Sequence, residues 1–270
     1  MTSVHTFAIG DVHGRTDLLR ALLDGISRQA ACLGIVYRIV FLGDIVDRGP
    51  HSRQAMHLVA ETLKQLPASR LILGNHDSFI LRILDETDLP RKQALLLHWI
   101  ARMGGAATLA SYAFDSSDDA ALDRILDVVD VDHVAILRAA ERYVELDHHI
   151  LVHAGVEPGV PFARQDPYKL MWIREPFLSF TGSSRKTVVH GHTPTSSLMV
   201  ARCHGRIAID TGAHNKGILS ALHIHHRGSE RILQAVAPVR GVVTVIDDGF
   251  LDLGGVQVAG HLHGGFAKNA

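Results

Sequence analysis

Three times in its first 77 residues the chain repeats one phrase: an apolar run, a glycine, then an acidic or amide residue with histidine or arginine close behind. His5–Ile9 leads into Gly10-Asp11-Val12-His13-Gly14, and Tyr37–Leu42 into Gly43-Asp44-Ile45-Val46-Asp47-Arg48-Gly49. Leu71–Leu73 leads into Gly74-Asn75-His76-Asp77. Between the runs, apolar residues return at helical spacing. Leu18, Leu19, Leu22, Leu23 and Ile26 follow acidic Asp17, with Gly34 as a stop. Ala55, Met56, Val59, Leu63 and Leu66 come next, with Ser52 as a cap and Pro67 as a breaker. Strand, glycine loop and helix in succession is α/β construction. It predicts strands whose carboxyl-end loops gather into one site.

From about 78 to 142 the pattern is mostly helical, best over Phe79–Leu84, Lys92–Arg102 and Val134–Arg142, with acidic Asp115–Asp119 as a solvated turn. Tyr143–Leu146 and His149–His153 read as a hairpin about Asp147-His148. Beyond Pro158, Pro161 and Pro167, strands dominate: Thr187–His190, Met199–Cys203, Ile207–Asp210 and Leu219–His225, with His204-Gly205 as a turn. After Pro238 the composition shifts to Val, Gly and Asp, with a turn at Asp247-Asp248-Gly249. The expected organisation is one catalytic domain over 1–237, carrying a helical insertion at about 78–142. Residues 238–270 then form a short β-rich extension.

The balance of 27 basic against 28 acidic side chains leaves no broad basic surface for nucleic acid or anionic lipid. No apolar run reaches the ~18 residues a membrane helix needs, and the first residues lack the pattern of a secretory signal. Cys32 and Cys203 alone make no disulfide framework, so a reducing cytoplasm is the expected location. Cys32 falls in the first helical pattern and reads as a small core residue. Hydrophobic residues, 47% of 270 positions, suffice for a packed core. The 19 histidines are an unusual load.

Two further blocks follow apolar runs: Val152-His153-Ala154-Gly155 and His190-Gly191-His192-Thr193. Asp, His and Asn offer hard oxygen and borderline nitrogen donors without thiolate. That set suits Mn, Fe, Zn or Mg ions rather than a structural four-cysteine zinc. A carboxylate such as Asp44 can bridge two ions, and ions about 3.5–4 Å apart can hold both oxygens of an in-line displacement at phosphorus. Arg48 offers a planar fork for the remaining phosphate oxygens.

These five blocks, in this order, resemble the metallophosphoesterase superfamily, and within it the bacterial serine/threonine (or tyrosine) members of the phosphoprotein phosphatase family. The resemblance spans roughly Thr6 to Leu222. It implies an α/β fold, a calcineurin-like β-sandwich flanked by helices. It also implies two divalent metal ions at the strand ends, manganese foremost, with iron or zinc as options. Carried onto matching positions, Asp11, His13 and Asp44 resemble the ligands of the first metal. Asp44, Asn75, His153 and His192 resemble those of the second. His76 resembles the general acid, oriented and favoured in its cationic form by Asp47, and Arg48 one phosphate clamp. Trp172-Ile173-Arg174-Glu175 resembles a tryptophan-led motif whose arginine, here Arg174, is the other clamp. Asp210-Thr211-Gly212-Ala213 fits the segment that closes the core sheet beside the site.

The implied activity is hydrolysis of phosphomonoesters on Ser or Thr, with Tyr open, by direct attack of a metal-bound hydroxide. A phosphorylated protein or peptide is the implied partner, with no nucleic acid and no membrane. One departure keeps a second substrate class open. Asp77 stands where many such phosphatases carry Glu, and aspartate there is familiar in the diadenosine tetraphosphate hydrolases. Against that alternative stand Asp47, intact beside Arg48, and the short stretch between His153 and His192. A non-catalytic scaffold is a third reading, disfavoured because every ligand position and His76 are filled. Elsewhere, Trp99, Ile100 and Met103 read as helix packing, and His223, His225, His261 and His263 as surface residues.

Overall fold

The computed structural model describes residues 4–113, 127–182, 185–237 and 243–247. Strands β1 (His5–Ile9), β2 (Tyr37–Phe41) and β3 (Arg70–Leu71) run parallel, joined through α1 (Thr16–Leu33) and α2 (Ser52–Gln65). A second sheet holds β4 (Tyr143–Glu145), β5 (His149–Val152), β6 (Thr187–His190), β7 (Ala201–Cys203) and β8 (Arg206–Ala208), in the order β4-β5-β6-β8-β7. β9 (Ile218–Ile224), β10 (Glu230–Val236) and β11 (Thr244–Asp247) return to the first sheet, whose order is β11-β10-β9-β1-β2-β3. The helical stretch comprises α3 (Asn75–Asp85), α4 (Leu89–His98), a π-turn at Trp99–Met103, α5 (Gly105–Ser111) and α6 (Val131–Arg138). Two short helices follow, α7 (Pro167–Trp172) and α8 (Ala213–Lys216).

The central strands are apolar on both faces because both are covered. Ala8, Val40, Leu42, Leu151, Val189 and Leu222 fill the space between the sheets. Phe7, Ile9, Ile39 and Phe41 point the other way, onto Leu18, Leu19, Leu22 and Ile26 of α1 and Met56 and Val59 of α2. This is the expected sandwich flanked by helices. Gly34 ends α1 in the left-handed conformation (φ 62°), its N–H reaching the carbonyls of Ala30 and Ala31.

Several local expectations change. Ser52 is not a cap: His51 occupies that position, and Ser52 Oγ accepts the N–H of Asp47 at 3.1 Å. Cys32 is exposed, because the last turn of α1 runs past the sheet it packs on. β3 is two residues long, since the chain leaves the sheet at Ile72 to bring Gly74 against Asp44. His223 is buried beneath the β1–β9 pair. Asp115–Asp119, His261 and His263 lie outside the described residues, as does most of the tail; within it, β11 pairs with β10. Among the described residues, no helix is long and apolar enough to cross a membrane.

Candidate active site

The blocks after β1, β2, β3, β5 and β6 meet. The amides of Val12 and His13 donate to the carbonyl of Asp44 at 3.1 and 2.8 Å, joining the first two. His153 Nδ1 lies 2.8 Å from the Leu42 carbonyl, and the amide of His192 donates to both oxygens of Asp11 at 3.1 Å. The second sheet is thereby stitched to the first. Asn75 Oδ1 is 2.9 Å from both His153 Nε2 and His192 Nδ1.

Asp44 stands at the centre. Its Oδ2 is 3.6 Å from His13 Nε2 and 3.9 Å from His76 Nε2, and its Oδ1 is 3.4 Å from His153 Nε2. Two buried groups result, His13–Asp44–His76 and Asp44–His153–His192, each with three donor atoms within 4.8 Å of one another. They share Asp44. Asp11 belongs to neither group in this conformation, its carboxylate being turned onto the His192 amide. Arg174 is exposed but close enough to His192 to depress that residue's pKa, and its guanidinium has no hydrogen bond or ion pair among the described residues.

The backbone here is under tension. His13, Asp44, Asp47, Arg48 and His192 all have φ between 45 and 72°, in the left-handed region. Each non-glycine residue there costs about 1 kcal/mol or more and persists only where its surroundings enforce it. Around Asp44, Asp77 supplies the enforcement. Its carboxylate accepts the amides of Asp44 (2.7 Å), Ile45 (2.9 Å), Val46 (3.3 Å) and Gly74 (3.2 Å), clamping the second block to the third. Gly74 and Gly191 permit the close approach: a Cβ on either would fall on the Oδ1 of Asp44 or Asp11. Asp77→Ala would strand buried donors at about 1–3 kcal/mol each before relaxation. It is expected to destabilise the chain by about 3 kcal/mol or more, read as a lower urea midpoint, with Asp77→Asn milder. A midpoint unchanged in the alanine variant would show that the clamp is not needed.

Electrostatics show what the site lacks. Asp11, Asp44, Asp47, Asp77 and Asp210 are all buried, whereas no lysine or arginine is buried among the described residues. Burial, then the Asp210 carboxylate, raises Asp11 well above the ordinary range; burial, then Asp77, does the same for Asp44. Burial first and neighbouring histidines second push His13 and His153 well down; burial, then the Arg174 guanidinium, lowers His192 to about 3. Neutral imidazoles and crowded carboxylates are the surroundings that divalent cations complete, so this donor set fits the metals expected from sequence.

Arg48 lies at the mouth, with Nη1 2.8 Å from His13 Nε2 and Nη2 2.7 Å from His76 Nε2. On the other side of the ring, His76 Nδ1 is 2.8 Å from Asp47 Oδ2. Since arginine can only donate, His76 Nε2 accepts from Arg48 and Nδ1–H donates to Asp47. Burial, then Arg48, lowers His76 to about 3, so in this arrangement the two together override the carboxylate that was expected to favour the cation. Burial raises Asp47 to about 7 against two hydrogen bonds that hold it down.

Those bonds come from residues that sequence reasoning missed. Trp99 Nε1–H donates to both oxygens of Asp47 at 3.1 and 2.9 Å, and Thr108 Oγ1 to Oδ1 at 2.7 Å. Packing is only half of what Trp99 does; a buried indole N–H needs an acceptor, and that was the available signal. His214, two residues beyond Gly212, brings its ring to 5.1 Å from His13.

Residues 4–264 match the family model of calcineurin-like phosphoesterases. Over 164 residues the chain is 33% identical to a symmetrical bis(5'-nucleosyl)-tetraphosphatase of Janthinobacterium sp. (strain Marseille). Over 158 residues it is 32% identical to one of Dechloromonas aromatica (strain RCB). Each match covers 57% of this chain and 44% of the relative, so it spans less than half the length of those proteins. Among solved structures, one described as a diadenosine tetraphosphatase candidate aligns with a TM-score of 0.59 at 19% identity, over 87% of this chain and 98% of that one. A cold-active protein-tyrosine phosphatase of a psychrophilic Shewanella aligns at 0.53 and 16%, over 87% and 79%. At these identities the structural likeness concerns the fold alone.

Proposed function

The chain belongs to the calcineurin-like phosphoesterase family, and from that premise we propose that it hydrolyses dinucleoside polyphosphates, cutting diadenosine tetraphosphate symmetrically. The observation that carries a phosphoesterase reading is the pair of buried donor clusters sharing Asp44, with Arg48 at their mouth. The relatives by sequence support the dinucleotide as substrate. For the phosphoprotein substrate expected from sequence the support is likeness of fold, so it becomes the second reading.

Asp11, His13 and Asp44 on one side, and Asp44, Asn75, His153 and His192 on the other, would hold two divalent cations, manganese foremost, which when bound supply an activated water and neutralise developing charge. The Arg48 fork, spanning His13 and His76 here, has the shape to grip two phosphate oxygens instead. Arg174 adds a second cation at the rim. With Arg48 on phosphate, His76 Nε2 is free to carry a proton to the leaving oxygen. Asp47, pinned by Trp99 and Thr108, keeps the ring aimed through Nδ1.

An aromatic ledge favours a substrate with a planar group near the phosphates. Trp172 lies 6.2 Å from His192 and stacks with Tyr168 at 5.8 Å and 18°, and Tyr168 is 57% exposed. Base stacking on such a side chain contributes about 1–3 kcal/mol. Tyr168→Ala is therefore expected to raise KM for diadenosine tetraphosphate by about tenfold while leaving turnover of nitrophenyl phosphate as it was. Equal effects on both substrates would remove the ledge from the binding site.

The deciding assay compares kcat/KM for diadenosine tetraphosphate, a phosphoserine peptide and a phosphotyrosine peptide, with added manganese. The dinucleotide is expected to lead. A phosphopeptide turned over more efficiently would restore the phosphoprotein reading and leave the metal centre as described.

A further inference from the structure

At the end of β1 opposite Asp11, three imidazoles converge. The antiparallel register that pairs Thr6 with Ile224 and Phe7 with His223 sets His5 across from His225, where β9 turns toward β10. His226 follows in that turn. One ring nitrogen from each of His5, His225 and His226 lies within 4.8 Å of the others. The rings of His225 and His226 are 3.9 Å apart, and His5 meets His225 edge-on at 4.6 Å. Among the described residues, no carboxylate forms an ion pair with any of the three.

We propose that His5, His225 and His226 form a second metal site, open to solvent, for a late first-row dication such as zinc, nickel or copper(II). Imidazole donors without thiolate suit that class of ion. Asp11 is six residues further along the chain from His5, about 20 Å for extended strand, so this site is separate from the catalytic clusters.

The surroundings orient the ligands. Nδ1 of buried His5 is 2.9 Å from Nε2 of buried His223, which leaves Nε2 as the His5 nitrogen free to ligate. A histidine held through its other nitrogen is the common arrangement around bound metals. His223 is itself fixed, stacked on Phe7 at 4.2 Å and 14°, with a buried Nδ1 that has no hydrogen-bond partner. It is a positioning residue, and the surface reading made from sequence does not hold for it. Nδ1 of His225 accepts the Arg227 amide at 3.1 Å, which marks it as a lone-pair nitrogen; loading exchanges that exposed contact for a bond to metal. Burial, then the neighbouring His225 and His226, lowers His5 and keeps it neutral. The adjoining depression is lined by Arg38 against Glu145 and Asp147, a balance that does not repel a cation, and half-buried His225 and exposed His226 give an ion its way in.

The test uses the full chain without an affinity tag, loaded with zinc, desalted and analysed for zinc per chain. Wild type is expected to hold one equivalent more than the His225→Gln/His226→Gln variant. Zinc-free melting temperature and phosphoester turnover should be the same in both. Exposed His226→Gln alone should weaken zinc binding by about tenfold or more. Copper(II)-loaded Asp44→Asn chain should still give an electron paramagnetic resonance spectrum with coupling to several imidazole nitrogens, lost when both histidines are also changed. Equal zinc content in wild type and double variant would overturn the proposal. Loss of metal in Asp44→Asn with this equivalent retained would report on the catalytic clusters alone.

Discussion

Asp44→Asn is expected to lose hydrolysis and catalytic-cluster metal together, beyond the about 10²–10³-fold that removal of a single charge-stabilising donor costs. Both oxygens of Asp44 are committed, Oδ2 toward His13 and His76 and Oδ1 toward His153 and the amide of His76. An amide in its place turns one oxygen into a donor facing imidazole nitrogens and removes the charge that two cations would share. Stability should move the other way. Burial and Asp77 raise Asp44 well above the ordinary carboxylate range, so ionised Asp44 opposes folding when no cation is bound. Metal-free Asp44→Asn is therefore expected to melt no lower than metal-free wild type. Full occupancy of two catalytic metals in the variant would remove Asp44 from its bridging position.

His76→Asn should depend on the leaving group. A positioned general acid contributes about 10²–10⁴-fold, and that full loss is expected on an alkyl phosphate, whose oxygen departs badly as an anion. On nitrophenyl phosphate the loss should be visibly smaller, with metal content intact. Asp47→Asn should follow the same order more mildly, because it acts through the Nδ1–H of His76 rather than on substrate. Trp99→Phe tests the next link outward: it keeps an aromatic ring in that buried position but removes one donor to Asp47. Equal losses on both substrates in His76→Asn, with metal retained, would mean that another group delivers the proton.

The strands and their terminal blocks were legible because burial on both faces writes itself as uninterrupted Val, Ile, Leu and Phe, and because glycine must follow where Asp44 and Asp11 approach the chain. That Asp44, His13, His153 and His192 meet could be read from their common position after strands. Which atoms touch could not be read. Asp77 looked like a departure in a motif, whereas its four amide contacts depend on two loops arriving from different strands. The indole N–H of Trp99 signals a need for an acceptor without naming Asp47, and Thr108 carries no mark that separates its bond from ordinary helix packing. Cys32 was misplaced because helical period continues past the point where α1 leaves its sheet. Ser52 has the chemistry of a cap, but the turn offers it the amide of Asp47 instead. The neutral state of His76 follows from its burial first and then from where the Arg48 fork lies, both tertiary facts.

The substrate and the bond that is cut can be tested in one measurement. Diadenosine tetraphosphate incubated with the full chain and manganese in oxygen-18 water should yield ADP as the nucleotide product. One oxygen-18 should appear for every two ADP formed, and the signal should vanish in Asp44→Asn. AMP and ATP as products would contradict symmetrical cleavage, and turnover no higher than in Asp44→Asn would contradict the assignment of this activity to the Asp44-centred site.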